Sequence, residues 1–102
     1  MSTQTDVVID EKIKQVNQLP GKYNVIMLND NLTPIDWVIS VLKEIFKHSE
    51  VTAETLTMTI HNDGSAVVGT YSYEIAEQKA LETINVSRGA GFPLVVKVDE
   101  EL

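Results

Sequence analysis

The feature that most constrains the fold is a short apolar run, Tyr23 to Leu28, which stops at polar residues and is followed at once by a helix start. The run is rich in residues that favour β-strands and is bounded by turn residues, so it predicts a strand. Asn29-Asp30-Asn31 ends it. Thr33 can then cap a helix, Pro34 fits the first helical position and Asp36 completes a capping box.

The remainder of the chain continues with further helices and strands. Apolar residues keep helical spacing up to Lys47-His48, where the first helix is expected to end. The further predicted elements are a helix from Thr52 to about His61, a strand over Ser65 to Tyr71, a helix capped by Ser72 and stopped by Gly89 or Gly91, and a strand over Leu94 to Val98. The apolar face of the third helix is expected to contain Ile75, Ala76, Ala80, Thr83 and Ile84. The order β-α-α-β-α-β predicts an α+β domain, with a small three-stranded antiparallel sheet packed against three helices.

The segment before the first strand has a different character. Residues 1–21 are mostly polar with one brief apolar patch, and Pro20-Gly21 closes them. They predict a flexible N-terminal extension, followed by one domain over residues 22–102. A helix over Ile9, Ile13 and Val16 is the alternative.

Charge and composition exclude several classes of protein. Fifteen acidic and eight basic residues give a net charge of −7, and without a basic cluster the chain is a poor ligand for nucleic acid or an anionic membrane. The absence of cysteine excludes a disulfide framework, a thiolate zinc site and a cysteine nucleophile. No secretory signal and no apolar run of about 20 residues is found, so a cytoplasmic protein is expected.

Few residues could carry chemistry. No G-x-S-x-G, H-E-x-x-H or glycine-rich phosphate loop is found, and two distant histidines without cysteine do not predict a metal site. The sequence therefore predicts no enzyme and no cofactor. Asn29-Asp30-Asn31 lies between a strand and a helix start, where ligands often bind, although the same residues could simply form the turn. His61 could bind a ligand or serve as a helix-terminal cation.

Several segments together resemble one family. The sequence YNVIMLNDNLTP at residues 23–34 resembles the signature of the ClpS adaptors, a strand that ends in Leu-Asn-Asp and is followed by Thr-Pro. Ile60-His61 resembles the Val-His at the end of the family's second helix. Gly69 followed by YEIAEQK at residues 73–79 resembles its G…[AT]-x-E-x-A-E-x-K segment, and Pro93-Leu94 resembles the start of its last strand. The resemblance extends over about residues 22–98.

The resemblance implies a substrate adaptor of the bacterial and plastid N-degron pathway. Such a protein would bind substrates with N-terminal Leu, Phe, Tyr or Trp and deliver them to a ClpA- or ClpC-type AAA+ unfoldase and its ClpP peptidase. It would dock on the unfoldase's N-terminal domain as a monomer, in the cytoplasm or the plastid stroma. The implied site residues are Asn29, Asp30 and His61 for the α-amino group, Thr33, Ile35, Val38, Thr57, Ile60 and Leu94 for the hydrophobic pocket, and Glu74 and Lys79 for unfoldase docking.

Three positions depart from the family pattern. Asn31 stands where a second acid is common, and Ile35 and Thr57 stand where methionines are common. These differences leave the amine-binding residues in place and bear on side-chain specificity. They also leave open an unfoldase-binding modulator or decoy that delivers no substrate. A purely structural acidic domain, like the related C-terminal domain of the ribosomal stalk protein, is a third possibility.

Overall fold

The computed structural model describes residues 21–101, and the predictions made for residues 1–20 lie outside that range. Its elements have the bounds β1 Tyr23–Leu28, α1 Ile35–Glu44, α2 Glu50–Asp63, β2 Ser65–Tyr71, α3 Tyr73–Gly89 and β3 Val95–Glu100. The strands form one antiparallel sheet in the order β2-β1-β3, so the predicted α+β fold is confirmed. No helix within residues 21–101 is long and apolar enough to cross a membrane.

Alternation along β1 gives the sheet one buried face. Tyr23, Val25 and Met27 are buried, whereas the residues between them are half-exposed, as the period of two in a strand requires. α3 packs along this sheet, α2 packs against β2, and α1 packs against α2. The core therefore lies between the helices and a single face of the sheet.

A bulge in β2 creates an unexpected anchor for a histidine. Val25 lies opposite Gly69 and Ile26 opposite Val67, so Val68 has no partner residue on β1. The carbonyl oxygen of Val68 instead lies 2.6 Å from His48 Nε2. His48, for which the sequence predicts no function, thus joins the α1–α2 loop to β2.

The ends of α1 differ from the prediction. The N-cap is Pro34 rather than Thr33, and the Thr33 hydroxyl donates to the carboxylate of Asp30 instead of accepting a hydrogen bond from a backbone N–H of the first helical turn. The helix ends at Glu44, before the predicted end near Lys47-His48. Lys47 there adopts a left-handed φ of 62°, and the backbone N–H of His48 reaches back to the Leu42 carbonyl at 3.1 Å.

The starts of the remaining elements also differ in detail from the prediction. α2 begins at Glu50, because Ser49 caps it by accepting a hydrogen bond from the backbone N–H of Thr52. Ser72 occupies the N-cap position of α3, but its side chain makes no capping hydrogen bond. β3 begins at Val95, one residue later than predicted.

The buried face of α3 is more polar than predicted. Ile75 is 43% exposed and lies outside the core, whereas Ser87 is fully buried. The Ser87 hydroxyl accepts a 2.9 Å hydrogen bond from the indole N–H of Trp37 on α1. The Trp37 ring also makes an edge contact with Phe92, with 5.2 Å between ring centroids. These contacts fix α1 against α3.

Candidate functional site

One backbone hydrogen bond brings the polar loop to the end of α2. The N–H of Asn29, just beyond β1, donates to the carbonyl of Gly64 at 2.9 Å. Gly64 is the C-cap of α2 and has a φ of 94°, a left-handed conformation that glycine adopts without strain. This pairing places Asn29-Asp30-Asn31 beside His61 in the last turn of α2.

The Asp30 carboxylate organises the loop. Its Oδ1 accepts hydrogen bonds of 2.7 Å from the backbone N–H groups of Leu32 and Thr33, and its Oδ2 accepts one of 2.7 Å from the Thr33 hydroxyl. Burial raises the pKa of Asp30, but these three hydrogen bonds outweigh burial and hold the pKa below its ordinary value. The carboxylate is therefore a fixed negative charge.

A cavity of about 210 Å³ opens beside this charge. It is smaller than the ~300–1,000 Å³ of pockets for drug-sized ligands, so it suits one amino-acid side chain. Its floor is buried and its polar rim is accessible. The residues that line it are Asn29, Asp30, Asn31, Thr33, Ile35, Val38, Thr57, Ile60 and His61.

The walls of the cavity come from the facing surfaces of α1 and α2. Val38, Thr57 and Ile60 are each at most 6% exposed and form the floor, and Ile35 is 46% exposed at the rim. The Thr57 hydroxyl donates to the Ala53 carbonyl one turn earlier in α2, at 2.7 Å. A threonine in this apolar floor thus leaves no unpaired donor.

Eight of the nine residues predicted for the amine site and hydrophobic pocket line this one cavity. Leu94 does not: it is 1% exposed and packs in the core. Asn31 lines the cavity without having been assigned to it, and its position directly after Asn29 and Asp30 is the sequence signal that could have included it.

The two predicted docking residues lie apart from the cavity and from each other. Glu74 is exposed in the first turn of α3, and Lys79 lies five residues later, about 140° around the helix axis. The Lys79 ammonium donates to the Ile45 carbonyl at 2.8 Å and lies 5.4 Å from the Tyr71 ring centroid. Lys79 is therefore half-buried and already bonded, so the two residues do not form one exposed patch.

The polar rim has the composition that an ammonium group requires. A free α-amino group is a cation with three donors, and it needs a carboxylate with neutral acceptors close by. Asp30 supplies the charge, while the Asn29 side-chain oxygen and an unprotonated ring nitrogen of His61 can act as acceptors. The adjoining apolar floor can take the first side chain.

Comparisons with known proteins agree on one family. The family model described as "ATP-dependent Clp protease adaptor protein ClpS" matches residues 7–97. The ClpS adapter of Treponema denticola is 40% identical over 97 residues, which cover 95% of this chain and 92% of the relative. The ClpS 2 adapter of Agrobacterium fabrum is 42% identical over 90 residues, which cover 88% and 87%.

A solved structure gives the same result. The structure of Agrobacterium tumefaciens ClpS2 bound to L-phenylalaninamide matches with a TM-score of 0.78 at 43% sequence identity. The match covers 81% of this chain and all of the other chain. The similarity therefore extends over a whole domain of known structure.

Proposed function

The chain belongs to the ClpS family of Clp protease adaptors, and we propose that it binds proteins through a free α-amino group and a hydrophobic first side chain and delivers them to a Clp unfoldase. The family consists of adaptors rather than enzymes. In this proposal Asn29, Asp30 and His61 bind the amine, and the substrates begin with Leu, Phe, Tyr or Trp. The setting is the cytoplasm or the plastid stroma.

One observation carries the substrate half of the proposal: a single cavity combines the Asp30 carboxylate and two acceptors with a buried apolar floor. Charge-assisted hydrogen bonds contribute roughly 1.5–3 kcal/mol each, and burial of a Leu or Phe side chain contributes ~1.5–3 kcal/mol. After the costs of association, a complex near −8 kcal/mol, about 1 μM, is expected. Such an affinity suits a protein that must release its cargo.

The bound molecule in the related structure supports the same chemistry. L-phenylalaninamide, which is bound to Agrobacterium tumefaciens ClpS2, has a free α-amino group, an aromatic side chain and an amide where a peptide would continue. It therefore presents the two groups that the cavity of this chain is suited to bind.

The decisive experiment is a calorimetric titration with a Phe-initiated peptide and its N-acetylated twin. The free peptide should bind with a Kd of about 1 μM. Acetylation removes the cation and leaves Asp30 without a charge partner, so the Kd should rise at least about 100-fold. Equal affinity for the two peptides would overturn the amine site.

The Asp30 charge can be tested separately from the Asp30 shape. Asp30→Asn keeps the side chain's outline but removes the negative charge, and the Kd should rise about tenfold or more. Asp36→Asn is the matched control, because Asp36 is exposed in the first turn of α1 and does not line the cavity. The control should change the Kd by less than about twofold.

The decoy alternative makes the opposite prediction for these titrations. A protein that docks on the unfoldase without carrying substrate has no need to bind the free Phe peptide. Micromolar binding of that peptide would therefore exclude a decoy that lacks the substrate site. Degradation of a Phe-initiated reporter by an unfoldase and ClpP then tests delivery itself.

A further inference from the structure

A second groove lies on the face of α1 opposite the amine cavity. Ile35 and Val38 face the cavity and α2, whereas Trp37, Val41 and Glu44 face α3, as the helical period places them. The groove has a volume of about 230 Å³. Its lining residues are Trp37, Ser40, Val41, Glu44, Ile45, Glu82 and Val86.

The groove is apolar between two acidic walls. Trp37 is half-buried, and Val86 is 43% exposed at the rim, which leaves apolar surface open to a ligand. Glu44 on α1 and Glu82 on α3 provide a carboxylate on each side, and both are exposed. Among residues 21–101, neither carboxylate is in an ion pair.

The nearest cation on α3 does not neutralise these carboxylates. Lys79 is one turn before Glu82, but its ammonium donates to the Ile45 carbonyl and lies near the rings of Phe46 and Tyr71. Lys43, next to Glu44, attracts that carboxylate but forms its ion pair with Glu50, so both acidic walls remain available to a positive group from outside. The chain's net charge of −7 adds a general attraction for cations.

We propose that this groove binds a segment of a partner protein that places an apolar side chain next to a lysine or arginine. The apolar side chain would pack on Trp37 and Val86, and the cation would pair with Glu44 or Glu82. The interaction requires no free N-terminus, so it is independent of the substrate site in the proposed function. Apolar contact with flanking charge complementarity is a common way for a helix groove to select a peptide.

Trp37 provides a direct reporter, because it is the only tryptophan in the chain and lines the groove. The probe is acetyl-Ser-Lys-Leu-Leu-Lys-Ser-amide, whose blocked N-terminus cannot use the amine site. Its titration into the full chain should change Trp37 fluorescence and saturate below about 1 mM. The single indole N–H resonance in an NMR spectrum should shift in parallel. Absence of a saturable change up to about 2 mM would overturn the proposal.

Variants then test the two acidic walls. The double change Glu44→Lys and Glu82→Lys should raise the Kd at least about fivefold, because attraction becomes repulsion. The matched control is Asp99→Lys with Glu101→Lys, the same change in charge at exposed positions on and just after β3. It should raise the Kd by less than about twofold, and cooperative urea unfolding should confirm that both variants fold.

A second peptide separates specific recognition from general charge attraction. Replacement of both probe lysines by glutamate should abolish the fluorescence change. Equal binding of the acidic peptide, or an equal loss in the Asp99 and Glu101 control, would show that the groove does not select a cation and would overturn the proposal. Excess L-phenylalaninamide should not displace the probe.

Discussion

At the scale of single residues, the proposed amine site contains a carboxylate whose charged form is stabilised by its neighbours. The pKa of Asp30 is held below its ordinary value by the Thr33 hydroxyl and by backbone N–H groups, despite the opposing effect of burial. Because the folded pKa is lowered, these hydrogen bonds stabilise the fold above the unfolded pKa near 3.8 and lose that effect in stronger acid. In mild acid the carboxylate stays charged.

Substrate binding should depend on a hydrogen-bond acceptor at position 61. His61 lines the cavity beside Asp30, where a ring nitrogen can accept from the ammonium group. His61→Leu removes that acceptor, so the Kd for a Phe-initiated peptide should rise about tenfold. Calorimetric titrations of the parent and the variant measure the change.

His61→Gln provides the control, because its amide oxygen keeps an acceptor at this position. This variant should bind the peptide with a Kd within about threefold of the parent's. Equal losses of affinity in the His61→Leu and His61→Gln variants would contradict an acceptor role for the ring nitrogen.

The pocket rim should control discrimination between Leu and Ile. Ile35 is 46% exposed at the cavity entrance and is branched at Cβ, so it crowds a first side chain that is branched there too. Ile35→Met and Ile35→Ala should each change the Leu-to-Ile affinity ratio by about threefold or more, and by more than they change affinity for Phe. Competition binding with three peptides measures the ratios. A Leu-to-Ile affinity ratio that is unchanged in both variants would show that Ile35 does not control discrimination at the cavity entrance.

Thr57→Val is the companion test for the floor of the cavity. The Thr57 hydroxyl is directed to the Ala53 carbonyl, so its loss should leave the shape of the pocket unchanged. Affinity for Phe should change by less than about twofold. A larger change would indicate that the hydroxyl contacts the ligand.

At the scale of elements, Gly69 in the bulged strand β2 allows an aromatic ring to lie against the backbone. A Cβ at position 69 would lie 2.6 Å from Tyr71 Cζ, which is closer than real contacts permit. The displaced Tyr71 ring would lose its contacts with Phe46 and with the Lys79 ammonium. Gly69→Ala should therefore destabilise the domain by about 1–3 kcal/mol in urea unfolding.

Gly89→Ala is the matched control in the last residue of α3. A Cβ there meets no atom within 4 Å, and the residue has no left-handed φ. Alanine also restricts the unfolded chain more than glycine does, so the change should stabilise the domain by about 0.4–1 kcal/mol. Equal effects at the two positions would contradict the steric account of Gly69.

The elements show which features a sequence can predict. The predicted bounds of β1 and β2 are confirmed. They were predictable because turn residues flank each apolar run on both sides. The predicted Thr33 cap is wrong, because Pro34 is the N-cap residue and Thr33 lies one residue before it, with its hydroxyl donating to Asp30. Ser87 and His48 could not be placed, because their partners Trp37 and Val68 are distant in sequence.

The cavity was predictable to the extent that its residues belong to short recognisable segments. Asn29, Asp30 and His61 lie in such segments, and the structure brings them to one cavity through the Asn29–Gly64 hydrogen bond. Leu94 lies in a similar segment, but the packing of the sheet and helices buries it in the core. Periodicity predicts which face of a helix or strand is apolar, and only the packed fold decides which residues on that face remain accessible.

At the scale of the whole molecule, unfoldase docking and substrate binding should be separable. Glu74 is exposed on α3 and does not line the cavity. Glu74→Lys should lower unfoldase-dependent degradation of a Phe-initiated reporter about fivefold or more, while the peptide Kd changes by less than about twofold. Asp99→Lys is the control for charge alone. Unchanged degradation would contradict a docking role, and a joint loss of both activities would contradict separate sites.

A Lys79 variant requires a measurement of stability in addition to the degradation assay. Its ammonium is the donor for the Ile45 carbonyl, so Lys79→Met should destabilise the domain by about 1–2 kcal/mol as well as weaken docking. Urea unfolding separates the two effects. If degradation falls while stability is unchanged, the Ile45 hydrogen bond does not contribute as described.

The three hydrogen bonds within the Asp30 loop have a consequence for timing. Because the loop is held in shape before any ligand arrives, binding requires little ordering of the backbone. Association rate constants should then be similar for different substrates, and differences in affinity should arise mainly from the dissociation rate constants. The fit of the first side chain would thus set how long each protein stays on the adaptor, and how much time is available for its transfer.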